Sequence, residues 1–330
     1  MEKAWICRNY QEGDEYQILA LFDEVFGNNP GLHLWRWRFL KNPFGKGIIK
    51  LLFDGDRLIG HYSIIPLNIE VQCEPIRVGF SLDTMTHPSY AKRGIFTFLA
   101  QETYNECQLL GLRLVYGFPN ANSYHGFTNR LGWLGFDKMS PLYKRLEQKT
   151  YHPQFSKRVH DISRVEKFGD DVDPLWQNVR GGYGVVVPRT KEFLNWRYAE
   201  HPEVSYIKYL SKNNNGSAEG YLILKVFEAE NETRGHIVDI LSLNDKDIVK
   251  DLVRTALCYF LEKGINNISC WMQDNFFYAD ILKDEGFVRQ DVNGPYPYFG
   301  VKVFNDTDIV AKDVLHFPNW YLTMGDCDIF

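Results

Sequence analysis

No run of apolar residues in this sequence approaches the roughly 20 that a bilayer-spanning helix needs, so no membrane span is expected. The N-terminus, MEKAWICRNYQEGDEYQ, lacks the apolar core of a signal peptide. Cysteines are few and scattered: Cys7, Cys73, Cys107, Cys258, Cys270 and Cys327 form no CxxC pair and no metal-ligand spacing. Free thiols in a reducing compartment, and no metal site, are therefore expected. These absences together point to a cytoplasmic protein. An excess of positive charge is missing too. The net charge of −5 and a pI near 6.0 argue against a general nucleic-acid binder.

What is present is a globular composition, 45% hydrophobic with 15% aromatics, in a chain of 330 residues. That length exceeds one ordinary core, so two domains are expected. The first half reads as a short strand at Trp5–Arg8 and a helix over Tyr16–Phe26. An aromatic-basic segment, Leu34–Phe39, comes next. Ile48–Phe53 and Arg57–Ile65 flank a DG turn and form a hairpin. Leu67–Cys73 and Ile76–Met85 read as two further strands. A helix spans Ile95–Leu109, a strand Leu112–Phe118, a loop and short helix Asn120–Leu131, and a last strand Leu142–Leu146. Polar Glu147–Arg158 reads as a linker, which sets domains of 1–147 and 148–330. Beyond it, Ile162–Val165 reads as a strand and Val172–Val179 as a helix.

The chain is organised around Phe80–Phe98, FSLDTMTHPSYAKRGIFTF: a strand, a turn at His87-Pro88, a basic glycine turn and a helix. A glycine turn feeding a helix N-terminus presents unpaired amides and the positive end of the helix dipole. Such a turn accepts a phosphate or pyrophosphate.

The surrounding pattern recurs. Trp37-Arg38-Phe39-Leu40-Lys41-Asn42-Pro43 matches Trp196-Arg197-Tyr198-Ala199-Glu200-His201-Pro202. Downstream, Gly60-His61-Tyr62 pairs with Gly220-Tyr221, Asp83 with Asp239, Gly111 with Gly264, Tyr124 with Tyr278, and Gly132 with Gly286. An ordered series of this kind indicates an internal duplication. The glycine turn is not duplicated: its place is taken by Ser242-Leu243-Asn244-Asp245-Lys246-Asp247, whose acidic residues would repel a phosphate.

The stretch Asp83–Phe136, and within it HPSYAKRGIFTFLA, resembles the GNAT superfamily of N-acetyltransferases. The resemblance implies an α+β (mixed α/β) protein of two tandem GNAT folds. Each would be a twisted, largely antiparallel sheet flanked by helices. It implies acetyl-CoA as the co-substrate and a small amine as the acceptor, with an amino sugar of surface polysaccharide synthesis as the analogy. In the family the pyrophosphate sits on a turn written (Q/R)-x-x-G-x-(G/A). Here Ala91-Lys92-Arg93-Gly94-Ile95-Phe96 keeps the central glycine and the basic flank but neither end residue. By this resemblance the amides of Lys92, Arg93, Gly94, Ile95 and Phe96 would hold the pyrophosphate. The edge Leu82, Asp83 and Thr84 would hold the pantetheine arm, and Asn120 and Asn122 would also face CoA. The second copy would keep the fold without CoA, building an acceptor pocket or binding a partner.

Acyl transfer to an amine requires a base, stabilisation of the thioester oxygen and an acid for the leaving thiolate. The family's frequent tyrosine acid is replaced by Thr128, which makes Tyr124 the nearest phenol. Asp83 and His87 are candidate bases, each with a structural reading beside it. In some tandem relatives the C-terminal carboxylate serves as base, which would put Phe330 in that role. Two alternatives stand beside the acyl-CoA reading. One is a Fem-type aminoacyl-tRNA-dependent transferase, and the other is a non-catalytic protein on the same scaffold.

Overall fold

The computed structural model describes residues 5–147, 160–229, 232–291, 293–305 and 310–330. All of the expected linker after Glu147 lies outside them. In chain order the first elements are β1 (Ile6–Asn9), α1 (Glu15–Phe26), α2 (Leu32–Phe39), β2 (Ile48–Asp54), β3 (Arg57–Val71) and β4 (Glu74–Thr86). They continue with α3 (Ile95–Leu109), β5 (Leu114–Gly117), α4 (Ala121–Leu131), β6 (Leu134–Lys138), β7 (Leu142–Arg145), β8 (Asp161–Arg164) and α5 (Val172–Val179). Then come β9 (Val185–Val186), α6 (Lys191–Leu194), β10 (Ile207–Lys212), β11 (Ala218–Ala229), β12 (Glu232–Ser242) and α7 (Lys246–Glu262). The last are β13 (Asn267–Cys270), α8 (Phe277–Asp284), β14 (Val288–Arg289), β15 (Tyr298–Val303) and α9 (Ala311–Val314).

The chain divides into two compact units, each built on one twisted mixed sheet flanked by helices. The first sheet runs β1-β2-β3-β4-β5-β15-β6, the second β14-β7-β13-β12-β11-β10-β8. Each sheet is largely antiparallel, with one parallel pair at the matching place: β4 with β5, and β12 with β13.

The units are not contiguous in sequence, which corrects the expected boundary at 147/148. The first comprises Met1–Ile69, Pro75–Lys138 and Pro297–Leu315; the second comprises Glu70–Glu74, Met139–Tyr296 and His316–Phe330. Leu142–Arg145 is not the last strand of the first unit. It pairs in the second sheet with Asn267–Cys270 and with Val288–Arg289. Its place in the first sheet is taken by β15, which pairs with β5 and β6. A second difference is that Leu67–Cys73 forms no separate strand, because β3 continues through Pro66. Pro66 lies beyond the last β2 pair, Ile48–Ile64, so its missing N–H breaks no rung of that ladder.

In the first unit α3 buries Ile95, Leu99, Ala100, Thr103, Tyr104 and Cys107 on one face. These join a core with Tyr62, Val115, Phe127 and Trp133. A buried polar chain fastens this helix to the sheet. Trp133 Nε1 donates to Tyr104 Oη at 2.8 Å, and the Tyr104 and Tyr62 hydroxyls lie 2.6 Å apart. Ser81 Oγ donates to Tyr62 Oη at 3.2 Å. Every member has a partner, so the chain stabilises without the cost of an unpaired buried group.

The second unit repeats the plan around charges. Arg189 is fully buried and donates to both oxygens of Asp326, at 2.8 and 2.7 Å. Its Nε lies 3.1 Å from Asp239 Oδ2. Tyr198 and Tyr221 also donate to that oxygen. The duplication expected from the sequence is visible in the caps: Gly111 and Gly264, and Gly132 and Gly286, all carry left-handed φ just past a helix.

Candidate functional site

β4 and β5 run parallel over Gly79–Ser81 and Val115–Gly117, and the pairing stops there. A Cβ on Gly117 would come within 2.9 Å of the Ser81 carbonyl, so the last contact before the strands part needs glycine. β4 continues to Thr86, and the edge Leu82–Thr84 has left β5. Both strands then feed helices, α3 after β4 and α4 after β5, so two helix N-termini lie beyond the same ends of the parallel pair. Ligands of open α/β sheets bind in crevices of this type.

The strand edge is shaped at Asp83, whose φ is +49°. Arg38 Nη1, from α2, donates to Asp83 Oδ2 at 2.7 Å. Ser63 Oγ donates to the Leu82 carbonyl at 2.7 Å, and His61 Nδ1 lies 2.7 Å from the Asp83 carbonyl. A carbonyl only accepts, so Nδ1 of His61 carries the hydrogen. Burial pushes the His61 pKa down to about 4, which keeps the ring neutral near pH 7.

The glycine turn has two left-handed residues, Lys92 at φ +63° and Gly94 at φ +81°. Gly94 is the N-cap of α3 and supplies no side-chain cap. Among the described residues, the amides of Lys92, Arg93, Gly94, Ile95, Phe96 and Thr97 find no acceptor; the next, Phe98, donates to the Gly94 carbonyl at 3.0 Å. Lys92 and Arg93 are exposed beside them, and the Arg93 guanidinium lies 5.1 Å from the Tyr90 ring centroid. The Ile95 and Phe96 side chains point into packing, with Phe96 5.1 Å from Phe127, so these two residues offer only their backbone.

Asn120 caps α4, its Oδ1 accepting from the amides of Asn122 and Ser123. Asn122 is exposed in the first turn. Tyr124, one turn along, stacks on Tyr298 with centroids 3.9 Å apart and lies over Gly135, where a Cβ would collide with its ring. Burial raises the Tyr124 pKa, with Tyr298 and Asp137 adding to the effect, so the phenol holds its proton at neutral pH.

Two candidate bases are placed differently. His87 is buried, and its Nδ1 accepts from the Ser89 amide at 3.1 Å. Its Nε2 lies 2.6 Å from Glu24 Oε2. With both nitrogens engaged, His87 braces the turn after β4. Phe330 lies in the second unit, where its main-chain oxygen accepts from Arg197 Nη2 at 2.5 Å and from the Tyr206 hydroxyl at 2.7 Å. Leu82, Asp83, Thr84, Lys92–Phe96, Asn120, Asn122 and Tyr124 all lie in the first unit, at the end of β4, the start of α3 and the head of α4. Sequence reasoning missed Arg38 and His61 as partners of Asp83. Both stood inside the repeated motifs, which was the available signal.

The second unit holds the counterpart closed. Asp245 caps α7 with its own carboxylate, accepting from the Asp247 amide at 2.8 Å. Arg197, the repeat of Arg38, does not reach Asp239. It donates instead to Tyr206 and to the carbonyls of Gly325 and Cys327.

Residues 7–134 match the family model described as an acetyltransferase (GNAT) domain. No curated protein sequence matches the chain. Among solved structures, a GCN5-related N-acetyltransferase from Anabaena variabilis superposes with a TM-score of 0.70 at 12% identity, covering 92% of this chain and 73% of that one. Saccharomyces cerevisiae N-myristoyltransferase with bound myristoyl-CoA gives 0.62 at 12% identity, covering 91% and 82%. A glucosamine N-acetyltransferase region of a fungal multi-domain β-N-acetylglucosaminidase gives 0.60 at 13%, covering 92% and 38%. At these identities the likeness is one of fold: the chain is built of two GNAT folds. Among the described residues no group of side chains could hold a metal, and no helix is long and apolar enough to cross a membrane.

Proposed function

We propose that this chain, whose residues 7–134 match a GNAT acetyltransferase domain, is an acyl-CoA-dependent N-acyltransferase with its donor site in the first unit. One observation carries the reading: the uncapped N-terminus of α3, with six amides lacking an acceptor among the described residues, directly follows a strand edge that has left its neighbour. Amides at a helix N-terminus bind a pyrophosphate by hydrogen bonds and by the helix dipole. Lys92 and Arg93 add charge. The main chain of Leu82–Thr84 pairs with the pantetheine amides as an added strand would, and Asn120 and Asn122 border the arm at the head of α4. CoA supplies the thioester; the protein binds it, orients its carbonyl and delivers a proton.

Tyr124 serves as the acid for the leaving thiolate, since its raised pKa keeps the proton in place until the thiolate forms. Asp83 is engaged by Arg38 and contributes to the site through its main chain. The acceptor is a small amine, with an amino sugar as the first compound to try and acetyl-CoA as the first donor. The free amides favour this reading over a tRNA-dependent transferase, which needs no pyrophosphate turn.

Calorimetry with acetyl-CoA tests it. Wild type binds, and Gly94→Glu, which sets a carboxylate among the six amides at a residue of φ +81°, loses binding. Absence of acetyl-CoA and myristoyl-CoA binding by the wild-type protein overturns the proposal.

A further inference from the structure

We infer that Arg38 and His61 are positioning residues, which lock Asp83 in the left-handed conformation that presents the open edge of β4. The inference rests on the donor site proposed above and extends it to residues outside the cradle. A left-handed φ is unfavourable for any residue with a Cβ, although aspartate bears it better than most. Asp83 holds φ +49° inside a strand, where no turn demands it. Two bonds from different elements offset that cost. Arg38 grips the carboxylate from α2 at 2.7 Å, and His61 grips the carbonyl from β3 at 2.7 Å.

The histidine shows how specific the arrangement is. His61 is 1% exposed, and its Nε2 is buried with no hydrogen-bond partner among the described residues. The ring leaves one nitrogen unsatisfied and uses the other on the Asp83 carbonyl. An orphaned buried nitrogen is unfavourable, so the bond that remains fixes the ring. The other half lacks the device. Asp239 has no left-handed φ among the described residues, and its partners are Arg189, Tyr198 and Tyr221. Among the described residues, the left-handed aspartate therefore occurs only in the half whose helix N-terminus is open.

The lock makes a prediction that a proton-abstracting Asp83 does not. If conformation is what matters, glycine should rescue what alanine loses, because glycine adopts this φ freely. Acetyl-CoA binding to the full chain is measured for wild type, Asp83→Ala, Asp83→Gly, Arg38→Met and Arg38→Met/Asp83→Gly, with thermal melts confirming folding. Asp83→Ala and Arg38→Met are expected to bind roughly tenfold more weakly than wild type, as the competent conformer becomes the minor one. Asp83→Gly should recover most of that loss, and the double variant should match Asp83→Gly. An Asp83→Gly variant as weak as Asp83→Ala overturns the inference, as does a double variant as weak as Arg38→Met alone.

Hydrogen exchange at the amides of Asp83 and Thr84, without any ligand, separates this inference from the donor-site reading. Faster exchange in Arg38→Met, reversed in the double variant, supports the lock even if wild type binds no CoA. Unchanged exchange in Arg38→Met overturns it. Should Asp83→Ala fail to fold, the Arg38→Met and double-variant pair decides alone.

Discussion

At the start of α3 six amides point to no acceptor among the described residues; at the start of α7 Asp245 turns its own carboxylate onto the Asp247 amide. The two helices follow equivalent strands in two copies of one fold, so the difference is one of use. A helix N-terminus must satisfy its orphan amides with a side chain, water or a ligand. The second copy uses a side chain and closes the position. The first copy leaves it open, and the glycine at the cap removes the side chain that would close it. The same division runs through the charged groups. Arg38 and Asp83 each keep about a tenth of their side-chain surface exposed, whereas Arg189, Asp239 and Asp326 form a cluster sealed from water. One half keeps its polar groups within reach of a ligand, and the other spends its own on holding itself together.

The largest expected effect comes from breaking the sealed half. Arg189→Met leaves two buried carboxylates without their cation, which costs about 3–5 kcal/mol. Burial already raises the Asp239 pKa, against the lowering effect of Arg189. Arg38→Met, at a partly exposed pair, costs about 2 kcal/mol. Urea unfolding of both variants measures the contrast. Equal losses would mean that the two ion pairs do the same work and that the comparison between halves is misdrawn.

A smaller effect of the same sign in both halves comes from the histidine in each whose pKa burial lowers, His61 and His236. Burial lowers both His61 and His236 to about 4 from 6.5. The folded state therefore binds fewer protons than the unfolded chain between these values. The stability each contributes is fully present above pH 6.5 and is lost as pH falls toward 4. At pH 5 the loss is about 2 kcal/mol per histidine. Stability measured at pH 7 and pH 5 should show this slope, and His61→Asn should remove only the share of the first half. A slope untouched by His61→Asn would show that the imidazole is solvated and not seated in the lock.

The strand, glycine turn and helix of the first half could be read from local sequence, because each signal lies within a few residues of what it governs. Gly94 precedes a run with apolar residues at helical spacing, and α3 forms over Ile95–Leu109 as read. Strand exchange left no such trace. Leu142–Arg145 and Tyr298–Val303 are both short strands of ordinary composition, and nothing local records which sheet each completes. Partner choice belongs to tertiary packing. The lock on Asp83 was hidden for a related reason: Arg38 and Asp83 lie 45 residues apart, and pairing the repeats aligns Arg38 with Arg197 and Asp83 with Asp239 without saying what either arginine holds. Arg197 instead holds Tyr206, the carbonyls of Gly325 and Cys327 and the main-chain oxygen of Phe330, so equivalent residues in a duplicated fold have taken different partners.

The smallest expected effect is also the cleanest mirror of the Gly94 variant. Asp245→Ala removes the cap from α7 and should cost about 0.5–2 kcal/mol of stability. It should leave acetyl-CoA binding where it was, because an open amide set alone does not make the site. The second copy has no left-handed aspartate on its central strand, and its turn carries Asp247 beside Lys246. The negative charge of Asp247 remains in the first turn after the cap is gone, and it repels a pyrophosphate from the amides it faces. Calorimetry on Asp245→Ala and on Asp245→Ala/Asp247→Ala tests both parts. If the single change creates a second acetyl-CoA site, the closed half is held shut by one carboxylate alone. If only the double change does so, charge at the turn is the decisive difference between the copies. If neither does, the strand edge at Asp83 is the part of the donor site that the second copy cannot supply.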